Sequence, residues 1–184
     1  MEDRKIIELF FARSEEAIGA LGKKYGGACT RLAANILGSA RDAEECVNDA
    51  YLALWNSIPP RRPDHLGTYL LRVTRNLSLT RYHKNTALKR NSHYDMALDE
   101  LSEVLPTEET AETALEHREL TAALERFLDT LDRRERLLFL RRYWYGESVS
   151  SIAAFFDLRA NTVSQTLGRT RRKLAKFLEK EGYL

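Results

Sequence analysis

The segment SVSSIAAFFDLRANTVSQTLGRTRRKL, Ser148 to Leu174, decides the fold. Ser148 can cap a short helix in which Val149, Ile152, Ala153 and Phe156 face one way. Asp157 to Arg159 then make a tight turn. A second, longer helix follows, with one apolar stripe of Val163, Leu167, Thr170, Leu174 and Phe177/Leu178. Its outer face early on is Asn161, Gln165, Gly168, Arg169 and Arg172, with Ser164 at the margin. Two helices in this relation, the second seated by its inner stripe and presenting amides and arginines outward, follow helix-turn-helix logic. Arg can bond a guanine edge at two points, and Gln or Asn an adenine edge. Arg171, Lys173 and Lys176 lie beyond and suit phosphates, which position a protein without specifying sequence. Gly168 is costly mid-helix, by about 0.8–1.0 kcal/mol against Ala. It either lets DNA approach closely or is a tolerated surface glycine.

Upstream, ETALEHRELTAALERFLDTL predicts one helix and Asp132 to Trp144 a second, ended by Gly146. Alternating β-branched runs are absent, and Leu, Ala, Arg and Glu recur at helical spacing, so the fold expected is all-α. The 184 residues are 43% hydrophobic and 30% charged, as in globular chains. That length suits one large domain or two small ones. The weakest helical signal, KNTALKRNSHYDMALDELSEVLPTEET (Lys84 to Thr110), reads as a linker with a short helical turn near Leu98 to Leu101. The expected division is a domain over 1–90, a linker over 91–110 and a second domain over 111–184.

Charge is segregated along the chain. Arg61 to Arg90 holds eight Lys/Arg against one acid, Asp99 to Glu135 twelve acids against four arginines, and Arg159 to Lys180 seven Lys/Arg against one acid. Two basic zones around an acidic one point to two places that meet a polyanion. The first follows the helix DAEECVNDAYLALWNSI, for which Ser39 and Asp42 make a capping pair. Ala43, Val47, Ala50, Leu54 and Ile58 are its core stripe. Glu45, Asn48, Asp49, Leu52, Trp55 and Asn56 fall opposite. Either Trp55 packs on a neighbouring helix, or this is a partner-binding face with an apolar centre and charged rim. After the break at PPRRP, LGTYLLRVTRNLSLTRYHK is a helix with Leu70, Val73 and Leu77 inward. Its outer face carries Tyr69, Arg72, Arg75, Asn76, Leu79, Tyr82 and His83. That mixture suits single-stranded nucleic acid, cations meeting phosphates and rings stacking on bases. It also suits an Arg-rich surface with a half-buried Tyr.

No nucleophile–base pair, Gly-rich phosphate loop or metal cluster stands out, so an enzyme is not expected and neither is a cofactor, metal or small-molecule substrate. Cys29 and Cys46 read as small buried residues. The start of the chain lacks signal-peptide character and no apolar run reaches membrane-span length, so no membrane insertion and a cytoplasmic location are expected.

Together the halves resemble bacterial sigma factors of the extracytoplasmic-function (ECF) group. ILGSARDAEECVNDAYLALW is similar to the family's region 2 helix, with its Asp-Ala-Glu-acid start, amide-acid pair (Asn48-Asp49) and aromatic end. LGTYLLRVTRNLSLTRY resembles the helix that follows, with its Thr-aromatic-Leu and Arg-Asn-Leu elements. LDTLDRRERLLFLRRYWYGESVSSIAAFFDLRANTVSQTLGRTRRKL resembles region 4. The resemblance implies a transcription initiation factor that directs core RNA polymerase to promoter DNA. Core polymerase would dock on Glu45, Asn48, Asp49, Leu52 and Trp55. Melted −10 bases would meet Arg61, Arg62, His65, Tyr69, Arg72, Arg75, Asn76, Leu79 and His83. The duplex −35 element would be read through Arg159, Asn161, Thr162, Ser164, Gln165, Gly168, Arg169 and Arg172. An anti-sigma factor is implied as a further partner. The chain departs from the family at Tyr69, where Trp is usual. It departs again at Arg159, Asn161 and Ser164, so its −35 sequence does not carry over. The competing expectation is a dimeric helix-turn-helix regulator that does not use core polymerase, which leaves the Asn48–Leu52–Trp55 face without a role.

Overall fold

The computed structural model describes residues 1–85, 93–105 and 114–184, and every described regular element is a helix. The chain divides between Ser92 and His93 into two compact units.

The N-terminal unit holds α1 (Asp3–Phe11), α2 (Glu16–Leu37), α3 (Ala40–Ser57) and α4 (Leu66–Asn85). Helices α2, α3 and α4 pack on one another, and α1 lies on α2 and α4. Gly38, at φ 67°, ends α2, and Ser39 starts α3 by accepting a bond from the Asp42 amide at 3.3 Å. Ala43, Val47, Ala50, Leu54 and Ile58 are all buried, as the spacing predicts. On α4 the centre of the inner face differs from the expected Val73 and Leu77. Those two lie at its flanks, and the fully buried line is Leu66, Leu70, Thr74 and Ser78. Hydroxyls are tolerated there because each has a partner. Thr74 Oγ1 donates to the Leu70 carbonyl at 2.9 Å and Ser78 Oγ to that of Thr74 at 2.8 Å. The Cys46 thiol lies 3.2 Å from Ser78 Oγ.

Two glycines let the helices close on tyrosines. A Cβ on Gly67 would stand 2.6 Å from Tyr25 Cε1, and one on Gly26 2.9 Å from the Tyr51 hydroxyl. Tyr25 cannot easily yield, because its hydroxyl donates to Asp3 Oδ1 at 2.5 Å, where Lys24 also pairs at 2.6 Å. Gly67→Ala is therefore expected to destabilise the N-terminal unit by about 1–2 kcal/mol. Overpacking of about 1–3 kcal/mol outweighs the helix propensity that Ala gains. Urea unfolding followed by Trp55 emission in a Trp144→Phe background checks it; an unchanged or raised midpoint would rule out the clash.

The C-terminal unit holds α5 (His93–Ser102), α6 (Ala114–Thr130), α7 (Arg133–Phe139) running into one π-helical turn (Leu140–Trp144), α8 (Val149–Phe156) and α9 (Ala160–Glu181). Its core is Phe127, Leu131, Leu138, Phe139, Tyr143, Ile152, Ala153, Val163, Leu167, Leu174 and Leu178. Asp132 caps α7 by accepting from the Arg134 and Glu135 amides, both at 2.8 Å, and Ser148 caps α8 through the Ser151 amide at 3.1 Å. Asp157, left-handed at φ 52°, makes the turn into α9. The inner stripe of α9 is the expected Val163, Leu167, Thr170, Leu174 and Leu178.

The stretch expected to be a linker, 91–110, differs over its described part. Residues 93–102 are α5, and α5 belongs to the C-terminal unit, burying Tyr94 and Ala97. Residues 91–92 and 106–110 of that stretch lie outside the described residues. The helix runs a little under three turns, too short for its apolar side to show as a sustained period.

Candidate polymerase and nucleic-acid interfaces

Three faces expected from the sequence can be followed onto the two units. On α3, Glu45, Asn48 and Asp49 are exposed, and Leu52 is 57% exposed although it is a large apolar side chain. Trp55 is half-buried and engaged within its own unit. Its ring lies 6.1 Å from that of Phe10 and carries the Arg13 guanidinium at 5.4 Å, and Arg13 donates to its carbonyl at 2.6 Å. Of the two readings of Trp55, packing on a neighbouring helix describes most of its surface. Glu45 is also engaged, paired with Arg81 of α4 and with Arg41 at 3.4 Å. The hydrogen bond from Arg81, and then its charge, hold the Glu45 carboxyl below the usual carboxylate range.

Arg81 is a residue the sequence reading left inside the first basic zone without a role. It bridges Glu45 and the Asp42 carbonyl, and it lines a cleft between α3 and α4 with Cys46, Asp49, Leu77, Thr80 and Lys84. Its partner stands 36 residues away in sequence, so no local pattern marks it.

The outer side of α4 keeps Arg72, Asn76 and His83 exposed, with Tyr69, Arg75 and Leu79 half-buried beside them. The Tyr69 hydroxyl donates to Ser57 Oγ at 3.2 Å and accepts from Arg61 at 3.4 Å. Burial works to raise this phenol, but those two bonds and the charges of Arg61 and Arg72 outweigh it and hold it below the usual tyrosine range. The ring is thus fixed beside cations rather than loose on the surface. His83 stacks edge-on with Tyr82 at 5.6 Å. Arg62 departs from the group: it pairs with Glu8 and lies over the Phe11 ring at 5.1 Å, which ties it to α1. His65 is exposed.

On α9, Asn161, Thr162, Ser164, Gln165, Arg169 and Arg172 are all exposed, as is Arg159 just before the helix. Arg169 is steadied by a bond of 3.3 Å to Thr166 Oγ1. An added Cβ on Gly168 would meet nothing within 4 Å, so packing inside the unit does not require a glycine there. Two of the three cations expected at phosphates are engaged within the unit. Arg171 Nη1 donates to Glu100 at 3.0 Å and to the Tyr143 hydroxyl at 2.8 Å, and Lys173 pairs with Glu135 at 2.7 Å. Only Lys176 of the three is exposed without a partner of this kind. Their acids come from 71 and 38 residues away, which the sequence does not disclose.

Among the described residues no group of His, Cys, Asp and Glu could hold a metal ion, and no helix is long and apolar enough to cross a membrane.

Comparison with known proteins gives matches on both units. The family model for sigma-70 region 2 matches residues 21–87, and that for sigma-70 region 4 matches residues 121–174. The ECF RNA polymerase sigma factor SigE of Mycolicibacterium smegmatis is 25% identical over 161 residues, covering 87% of this chain. The chain spans 61% of the length of that relative. A solved structure of CnrH in complex with the cytosolic domain of CnrY is 21% identical, covers 98% of this chain and 99% of its own, and has a TM-score of 0.45.

Proposed function

Since the chain belongs to the sigma-70 family, in its ECF group, we propose that it binds core RNA polymerase and directs it to promoters. Region 2 meets the −10 element as melted strand, and region 4 reads the −35 element as duplex. The observation that carries this reading is the outer face of α9. Its inner stripe is fully buried, while Asn161, Ser164, Gln165 and Arg169 stand exposed in the helix's first turns. A helix N-terminus presented this way fits a major groove.

The division of labour on region 2 follows from what is already engaged. Asn48, Asp49 and Leu52 are the exposed centre of the polymerase face, with Glu45 and Trp55 as its held rim. Arg61, Tyr69, Arg72 and Asn76 are the centre of the −10 face. Tyr69, pinned by Ser57 and Arg61, offers a flat ring at low entropic cost, and Arg72 offers charge to phosphate. Arg62, bound to α1, acts through the loop's shape. Acting on promoters places the protein in the cytoplasm, and an anti-sigma factor is proposed as its restraint on the family resemblance.

Purified protein mixed with sigma-free core polymerase and a promoter library should yield start-site-specific RNA. Absence of such RNA, with tight binding to palindromes by the protein alone, would favour the dimeric regulator instead. Gly168 gives a narrower test. Gly168→Ala is expected to stabilise the C-terminal unit by up to about 1 kcal/mol while weakening −35 duplex binding several-fold, because the methyl group would stand where the DNA approaches. Stability and binding moving in opposite directions separates this from a tolerated surface glycine, for which binding would be unchanged.

A further inference from the structure

Glu100 lies on α5, outside both matched segments. Its carboxylate accepts from Arg142 Nη2 at 2.7 Å, Arg142 Nε at 3.5 Å, the Tyr143 hydroxyl at 3.0 Å and Arg171 Nη1 at 3.0 Å. One side chain thus joins three elements: α5, the π turn and α9. The cluster is buried where it matters. Arg142 is 2% exposed and also donates to the Glu147 carbonyl at 2.9 Å. Burial pushes the Tyr143 phenol up to about 12, so it remains a neutral donor to Glu100. The other side-chain ion pairs of α9, Lys173 with Glu135 and Arg126 with Glu181, each have one member more than half exposed.

Arg171 follows Arg169 by two residues and precedes Arg172 by one. At 100° per residue it stands at the flank of the outer face. A tie at this flank controls how far α9 is rotated about its axis. Rotation moves Gln165 and Arg169 relative to base edges, and productive contacts hold only within about 0.5 Å. Phosphate contacts, by contrast, carry no sequence information.

We infer that Glu100 is a positioning residue for sequence reading, holding α9 through Arg171 and the buried Arg142, and that Arg171 is a strut rather than a phosphate ligand. This deepens the proposed −35 reading and rests on it.

The test uses the full chain assembled with core polymerase. A −35 sequence is selected with the unsubstituted protein, and binding is compared with a duplex changed at one base pair of it. The unsubstituted holoenzyme should discriminate about 5- to 150-fold, the range for one mismatch. Arg171→Met keeps the Glu100–Arg142 pair, and Glu100→Gln keeps the shape but removes the charge. Both are expected to bring discrimination below about threefold, with the slope of log affinity against log salt unchanged, since no phosphate contact is lost. If Trp144 emission shows that Glu100→Gln unfolds the unit, Arg171→Met alone decides. Discrimination retained in Arg171→Met with a salt slope shallower by about one would make Arg171 a phosphate ligand and overturn the inference. So would uniformly tighter binding by a folded Glu100→Gln. An unsubstituted holoenzyme with no preference between the duplexes would overturn the functional reading and this inference together, which the variants alone would not do.

Discussion

Asp49→Arg is expected to weaken binding to core polymerase at least about a hundredfold, leaving the fold and the reading of duplex DNA by the C-terminal unit intact. A hundredfold is about 2.7 kcal/mol. Reversing a charge at a docked interface reaches that, because like-charge juxtaposition costs several kcal/mol. The fold should tolerate the change. Asp49 is exposed, and the cations near it, Arg81 and Lys84, line an open cleft. Exposed ion pairs are worth about 0–1 kcal/mol, so losing the acid costs the unit little. Leu52→Asp serves as the apolar counterpart. Leu52 is 57% exposed, so its burial contributes little in the free protein, and a charge there harms only a docked state. The measurement is competition for core polymerase, with urea midpoints run in parallel. Full affinity retained by both variants would place the docking face elsewhere.

Two of the five residues expected on that face are already engaged within the unit. Glu45 is held by Arg81 and Arg41, and Trp55 by Phe10 and Arg13. A group already satisfied within the unit gains less from a new partner than a free one, since it must first give up a bond. Asn48, Asp49 and Leu52 are exposed at the centre of the same face, where truncations usually cost most.

What could be read from the sequence follows a physical divide. The inner stripes of α3 and α9 were legible because apolar residues repeat at 3.6 and caps mark the ends. Ser39 and Ser148 both cap in the structure. The outer face of α9 was legible for the complementary reason: polar residues off the apolar stripe need no place in the core, and Asn161, Ser164, Gln165 and Arg169 stand exposed. On α4 hydropathy pointed to Val73 and Leu77, since it carries no signal for the buried hydroxyls of Thr74 and Ser78, which are satisfied by carbonyls one turn back. Long-range polar pairing was the blind spot. Arg81, Arg171 and Lys173 look like any cation in a basic run until the fold brings Glu45, Glu100 and Glu135 to them. The same blindness turned α5 into an expected linker, since its reason to be ordered is partly one carboxylate.

That carboxylate sets the second large effect. Glu100→Met is expected to destabilise the C-terminal unit by about 3–5 kcal/mol, because it removes the carboxylate paired with a buried guanidinium. Arg142 is 2% exposed and loses both of its bonds to Glu100, while its bond to the Glu147 carbonyl stays. Arg142→Met should cost clearly less, although Arg142 is the more buried partner. The remaining Glu100 is 28% exposed on its side chain and retains Arg171 and Tyr143. The double variant Glu100→Met/Arg142→Met should recover part of the first loss, since the buried guanidinium goes with its carboxylate and apolar replacement of such a pair is often near neutral, while Arg171 loses Glu100 and retains the Tyr143 hydroxyl. Unfolding in urea, followed by Trp144 emission in a Trp55→Phe background, isolates this unit from the other. Losses that simply add would show that the two side chains are not coupled. The same logic fixes where a stable C-terminal fragment can begin. Cut at residue 111, the expected boundary, it lacks Glu100, the carboxylate paired with Arg142. Begun at His93, it retains the pair and should unfold at a distinctly higher urea concentration.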